Sequence, residues 1–399
     1  MNLAVALDAR FLHTPDGAVW TDAPFHRGFW LRYLPVFAEV KVIARSKAVS
    51  EVPAGFARVD GSKVQVCKVP YFHGPTEYVE HVRAVRRAVQ KAIDPEDAVL
   101  LRVGSQVANC AMPVLWRTGH PYALEVVGDP YDVFAPGALH HIFRPLFRWW
   151  FPKQLRQQCA RACACSYVSL RVLPARYPTP PGAFVTHYSS INLHEGDFAP
   201  AARSVRKRVG TWNLITIASL EQPYKGVDVL VNAVRICLES GVDLRLSIIG
   251  NGRCSDSLKT LARSCGVSGR VRWLGAVPPG DAVRARLDEA DLFVLASRTE
   301  GLPRAMVEAM ARALPCVGTS VGGIPDLLPG EDTVASNDPG ALAAKIRDVL
   351  DAPGRLEKMA ARNLLMAQNY CETVLAGRRY ELLQFLKSQT EGWQAAKSR

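Results

Sequence analysis

Five short apolar runs decide the fold: LITIASL (214–220), RLSIIG (245–250), VRWLGA (271–276), LFVLAS (292–297) and PCVGTS (315–320). Each has the length and β-branched content of a buried strand. Helical sequence separates them: VDVLVNAVRICLESG (227–241), SDSLKTLARSCG (255–266), PPGDAVRARLDEA (278–290) and PRAMVEAMARAL (303–314). Strands alternating with helices of this length make βαβ units, whose right-handed crossovers cover both faces of a parallel sheet. Ligands of such sheets bind at the carboxyl ends of the strands. The loops leaving four of these strands carry unusual residues: Lys225-Gly226, Gly250-Asn251-Gly252, Gly275-Ala276-Val277 and Glu300-Gly301.

The N-terminal half repeats the theme with more interruptions. LAVALDARF (3–11), VKVIARS (40–46), VQVCKVP (64–70), AVLLRVG (98–104), YALEVV (122–127) and ACSYVSL (164–170) read as strands, and YVEHVRAVRRAVQKAI (78–93) as a helix. A Pro-rich stretch (174–181) and a basic polar one (196–210) break the pattern, and the second is read as a linker. At 399 residues the chain exceeds one ordinary core. The expectation is α/β: two Rossmann-like doubly wound domains facing a central cleft. They span 1–195 and 211–371, with an amphipathic helix at 372–399 packing back on the first domain.

Composition narrows the class. Hydrophobic residues are 48% and charged residues 22%, a globular balance, and no apolar run approaches membrane-spanning length. MNLAVALDARF lacks a basic n-region and cleavage site, so a cytoplasmic protein is expected, with its ten cysteines reduced. Cys159, Cys163 and Cys165 lack metal-ligand spacing and read as small buried residues. His140 and His141 read as a helix start or surface. The net charge of +12 is uneven. From Val133 to His194 there is no Asp or Glu, while Arg144, Arg148, Lys153, Arg156, Arg161, Arg171 and Arg176 fall there, and Arg203, Arg206, Lys207 and Arg208 follow. Such a face either attracts anions or is simply solvated. Within it, 142–156 begins IFRPLFRWWF, which reads as a peripheral membrane contact or as a buried helix. The adjacency of Trp149 and Trp150 argues against one shared face.

The densest chemistry lies after LFVLAS. Glu300 sits in the loop and Glu308 in the following helix, whose first N–H groups, of Gly301, Leu302 and Arg304, suit a diphosphate. A carboxylate accepting vicinal sugar hydroxyls complements such a site. Residues 299–328, TEGLPRAMVEAMARALPCVGTSVGGIPDLL, closely resemble the donor-binding motif of the family 4 glycosyltransferases. That motif runs E-G-x-x-x-x-x-x-E-A-M-A, then P-x-V and a G-G turn. Glu300, Gly301, Glu308, Ala309, Met310, Ala311, Pro315, Val317, Gly322 and Gly323 match in register.

The resemblance implies a GT-B enzyme that transfers a sugar with retention, without metal or cofactor, from a nucleoside-diphosphate sugar. The setting it implies is polysaccharide or glycolipid synthesis; the basic aromatic face points to a lipid-linked or anionic acceptor, and no nucleic-acid-binding motif accompanies it. The second domain would hold the donor and the first the acceptor. Glu300 would bind the transferred sugar and Glu308 the ribose. Lys225, in the K-G motif, would neutralise the leaving diphosphate, and the loops at Gly250 and Val277 would receive the base. Ser219 stands where the family usually has an arginine, leaving Arg253 or Arg304 as substitutes, and Ala313 replaces a common glycine. In the first domain Pro15-Asp16-Gly17 sits about where a glycine turn approaches the diphosphate. Asp129 is read either as a catalytic acid reaching sugar or acceptor, or as a turn former. His13, His73 and His120 are weaker entries. A nucleotide-sugar 2-epimerase and a non-catalytic sugar-nucleotide-binding protein remain alternatives.

Overall fold

The computed structural model describes residues 1–135, 142–204 and 210–398. His140, His141, Arg206, Lys207 and Arg208 lie outside the described residues. The first sheet carries parallel strands in the order Val64–Pro70, Val40–Ala48, Leu3–His13, Ala98–Val103, Tyr122–Val126, Ala164–Tyr167, Phe184–His187. The second runs Val271–Gly275, Leu244–Ile249, Trp212–Ile217, Leu292–Leu295, Cys316–Thr319, Thr333–Val334, parallel throughout. Its central strands are apolar at almost every position because helices bury both faces.

The first strand is less regular. Ala6 pairs with Ile43 but Arg10 with Arg45, so Leu7–Ala9 bulge and the strand runs on into an antiparallel hairpin with Val19–Thr21. The C-terminal helix Glu372–Lys397 crosses back and buries Leu375, Leu382, Leu383 and Leu386. Phe385 stacks on Phe184 of the first sheet, ring centroids 5.4 Å apart. One apolar cluster joins the two domains, from Leu3 and Val5 through Tyr188, Ile191 and Leu193 to Phe293 and Met310. The helix expected over 303–314 ends at Ala311. Ala313, buried, takes φ +52°, the left-handed conformation that glycine adopts without penalty.

Glycine is required where loops nest at the carboxyl edge of the second sheet. A Cβ on Gly226 (φ +64°) would lie 1.9 Å from the Ala296 carbonyl oxygen, and one on Gly322 (φ +51°) would lie 1.8 Å from that of Glu300. Gly17, at φ +88°, has open space around it. Gly226→Ala and Gly322→Ala should each cost about 3 kcal/mol or more, in the severe tail of single substitutions. Gly17→Ala carries only the left-handed penalty of about 1–2 kcal/mol. Urea unfolding of the three variants checks the ranking.

Candidate active site

The nested loops bring Lys225 and Glu300, 75 positions apart in sequence, into contact: Lys225 Nζ donates to Glu300 Oε1 at 2.6 Å. Ser297 Oγ donates to the same oxygen, also at 2.6 Å, and both acceptor and hydroxyl are buried. Arg298 fixes the lysine loop. Its Nη1 donates to Pro223 O at 2.6 Å, its backbone N–H to Tyr224 O, and its guanidinium grips Asp228 through both carboxylate oxygens. The helix Arg304–Ala311 starts beside this cluster with no side chain capping it, so its first N–H groups remain available to an anion.

Glu308 lies one turn into that helix and lines an interdomain cavity of about 690 Å³. Arg304, one turn earlier on the same face, lines it too, with Arg284 and Gly280 from the neighbouring helix. Burial pushes the Glu308 carboxyl above its ordinary range; Arg304 opposes the shift, Asp197 adds to it and Arg284 opposes it. Across the cavity stand His26, Gly28 and Arg32 of the first domain, and His194 and Asp197 of the crossing segment. Asp197 is held by Arg284.

Not every expected residue falls here. Gly17 closes the hairpin turn, its N–H donating to Thr14 O at 2.9 Å, and does not line the cavity. The first-domain loop that does reach it is Pro24–Gly28, where the His26 ring accepts the Gly28 N–H and starts the helix Arg27–Trp30. Asp129 is a structural residue: buried, it caps Pro130–Val133 by accepting the Tyr131 N–H at 2.9 Å. It also accepts Tyr177 OH at 2.6 Å and pairs with Arg176, so both its oxygens are occupied. Arg253 is an exposed surface cation paired with Glu221 at 3.0 Å. Ser219 is exposed just beyond Ile217. Gly250 donates to Gly275 O at 2.8 Å, and a Cβ there would meet the Ala218 oxygen at 1.8 Å. Leu302 and Val277 are half-buried against the core, Val277 shortly before the cavity-lining Pro279. His13 bonds Ser46, His73 bonds Arg10, and His120 is buried against Trp393. Arg298, Ser297 and His26 are the residues the sequence left unremarked; only the short R-T-E-G spacing hinted at Arg298.

Two parallel-sheet domains, with carboxylates and a lysine gathered where the strand ends face each other, define a glycosyltransferase of the GT-B fold. Residues 212–352 match the family described as Glycosyl transferases group 1. Over that segment the chain is similar to the family, and it is a glycosyltransferase of the nucleotide-sugar-dependent kind. Protein CapJ of Staphylococcus aureus is 24% identical over 363 residues, 89% of this chain and 85% of CapJ. The GDP-mannose-dependent monoacylated alpha-(1-6)-phosphatidylinositol monomannoside mannosyltransferase of Corynebacterium glutamicum is 30% identical over 199 residues, 45% of this chain and 51% of that protein. Among solved structures, Anabaena HepE in complex with UDP and glucose superposes with a TM-score of 0.62 at 15% identity, covering 96% of this chain and 99% of HepE.

The raised Glu308 pKa carries a signed consequence. A carboxyl titrating higher in the folded than in the unfolded chain loses stability on ionising, so the loss is present above the folded value and relieved as pH falls. Glu308→Gln should therefore raise the melting temperature at pH 8 and change it little at pH 4, as thermal unfolding at the two pH values would show.

Proposed function

We propose that this enzyme transfers a sugar from a nucleoside-diphosphate sugar with retention of anomeric configuration and without a metal ion. The observation that carries the reading is the Lys225–Glu300 contact beside an uncapped helix start. Breaking the sugar–phosphate bond builds negative charge on the β-phosphate oxygen. A lysine ammonium and aligned N–H groups stabilise that charge more as it develops than in the ground state. Glu300 then orients the sugar hydroxyls and Glu308 the ribose. Arg304, about 6 Å along the helix from Glu308, is spaced to meet the diphosphate when Glu308 holds the ribose, in place of the arginine missing at Ser219. Asp129 has no role in this scheme. The acceptor is lipid-linked or anionic, as a first domain with so little acid on its 133–194 stretch would favour. The ten free cysteines are compatible with a reducing, cytoplasmic setting. No helix among the described residues is long and apolar enough to cross a membrane.

A thermal-shift screen across UDP-, GDP- and ADP-sugars identifies the donor, since a ligand at a hundred times its Kd stabilises by about 2.7 kcal/mol. No shift with any of them would sink the reading. With the donor known, Lys225→Ala and Arg304→Ala should each weaken its binding about tenfold or more, the scale of a lost charge-assisted contact. Arg253→Ala should leave binding unchanged. Glu300→Gln should abolish transfer while nucleotide still binds. An inverted anomeric product, or activity lost on chelation and restored by a divalent ion, would refute retention or metal independence. Donor consumed to an isomeric sugar without acceptor would instead indicate an epimerase.

A further inference from the structure

The helix Arg144–Cys159 buries Pro152, Leu155 and Cys159 and turns a different face outward. On that outer face and just before it, Ile142 is 85% exposed, Phe143 56%, Leu146 53%, Trp149 57% and Trp150 45%. Both tryptophans are thus on the surface, their ring centroids 6.0 Å apart, because the buried stripe lies on the far side of the helix. Adjacency, which argues against one shared helix face, leaves both rings exposed here. Apolar area of this size in a row is costly to leave in water.

The cations around it are committed to carbonyls and rings. Arg144 donates to Phe134 O, Arg148 to Tyr131 O and Arg156 to Arg176 O, while the Lys153 ammonium lies 5.0 Å from the Trp149 ring centre. Together with Tyr131 and Trp149 these four line an open trough of about 700 Å³. Among the described residues none of the four forms an ion pair with a carboxylate, and the sequence from Val133 to His194 contains none to offer.

We infer that this face docks on a membrane surface bearing anionic phospholipid, with the aromatic and aliphatic side chains entering the interface and the four cations meeting headgroup phosphates. A protein partner would need matching acids and a shaped apolar patch. Paired tryptophans ringed by cations with long stems match the chemistry of an anionic lipid interface instead. The face joins the active-site cleft directly. Tyr131, stacked under Arg148 at 4.1 Å, follows the loop Val127–Asp129, and Val127 O touches the Gly301 backbone region across the cleft. A lipid-borne acceptor would arrive at the rim of the site. Docking at this face needs neither donor nor acceptor and so stands apart from the transfer reaction.

The test is co-sedimentation of the full chain with phosphatidylcholine vesicles and with vesicles about one-third phosphatidylglycerol, at low and high salt. The expected result is partitioning at least about tenfold stronger onto the anionic vesicles, weakened by salt. Trp149→Ser with Trp150→Ser, exposed positions whose melting temperature should not move, would lower it about tenfold. The separate charge variant Arg144→Gln with Lys153→Gln would lower anionic binding alone. Equal binding to both vesicles, unchanged partitioning of both variants, or capture by heparin with none by vesicles would overturn the assignment; the last would identify a soluble polyanion as the partner.

Discussion

At the carboxyl edge of the second sheet, neighbouring loops pass so close that a single methyl group would collide with a carbonyl oxygen. Gly226 lies against Ala296, Gly250 against Ala218 and Gly322 against Glu300. Close packing here is backbone on backbone, which side-chain rotation cannot relieve. Everything chemical follows from that constraint. It lets the lysine loop after one strand lie on the glutamate loop after another, and Arg298 rivets the two by bonding Pro223 O, Tyr224 O and Asp228. Lys225 and Glu300 are thus brought together by the scaffold as well as by their own attraction.

The two glutamates of one motif consequently occupy opposite electrostatic environments. Glu300 accepts a lysine and a hydroxyl on one oxygen, which fixes its orientation. Glu308 is desolvated beside the cavity, with Arg304 and Arg284 only partly compensating, and its carboxyl is pushed up. A carboxylate that gains from accepting hydroxyl donors is one that burial has deprived of water. The free protein therefore bears a destabilised Glu308, a cost that a ribose-like diol would remove on binding.

How much of this the sequence disclosed varies along the chain. The alternation of strands and helices in 214–320 has strong periodicity and short connections, so the second domain was legible almost element by element. Glu300 and Glu308 were legible because a long register-locked motif carries them, and Lys225 because it sits in a separate, shorter K-G motif. The first domain was harder to read for a physical reason. The bulge at Leu7–Ala9 and the hairpin through Gly17 displace the loop that reaches the cavity to Pro24–Gly28. A turn glycine close to the first strand thus drew attention away from Gly28. Asp129 admits two readings because an N-cap aspartate at a strand end has the same local sequence whether or not it faces a ligand; its partners, Arg176 and Tyr177, favour the turn former. Arg298 was only hinted at for a similar reason, since its value lies in acceptors remote in sequence, at Pro223, Tyr224, Asp228 and Asn337.

Near the mouth of the cleft the domains meet closely at Gly301 and at Asp326. Val127 O packs against Gly301, and the Leu170 N–H donates to Asp326 at 2.6 Å, whose carboxyl burial pushes above its ordinary range. Toward the crossing segment, by contrast, the cavity beside Glu308 stays open. A donor with its ribose at Glu308 must extend its sugar toward Glu300, under the point where Gly301 already abuts the first domain. Glycine at 301 keeps that approach tight, because a Cβ there would stand 3.0 Å from Val127 O. In the proposed scheme the sugar would pass beneath these rim contacts, and Lys225 would turn from Glu300 toward the phosphate. Closure and catalysis would share one set of residues: the contacts that exclude water from the reacting carbon lie next to the pair that meets the leaving charge.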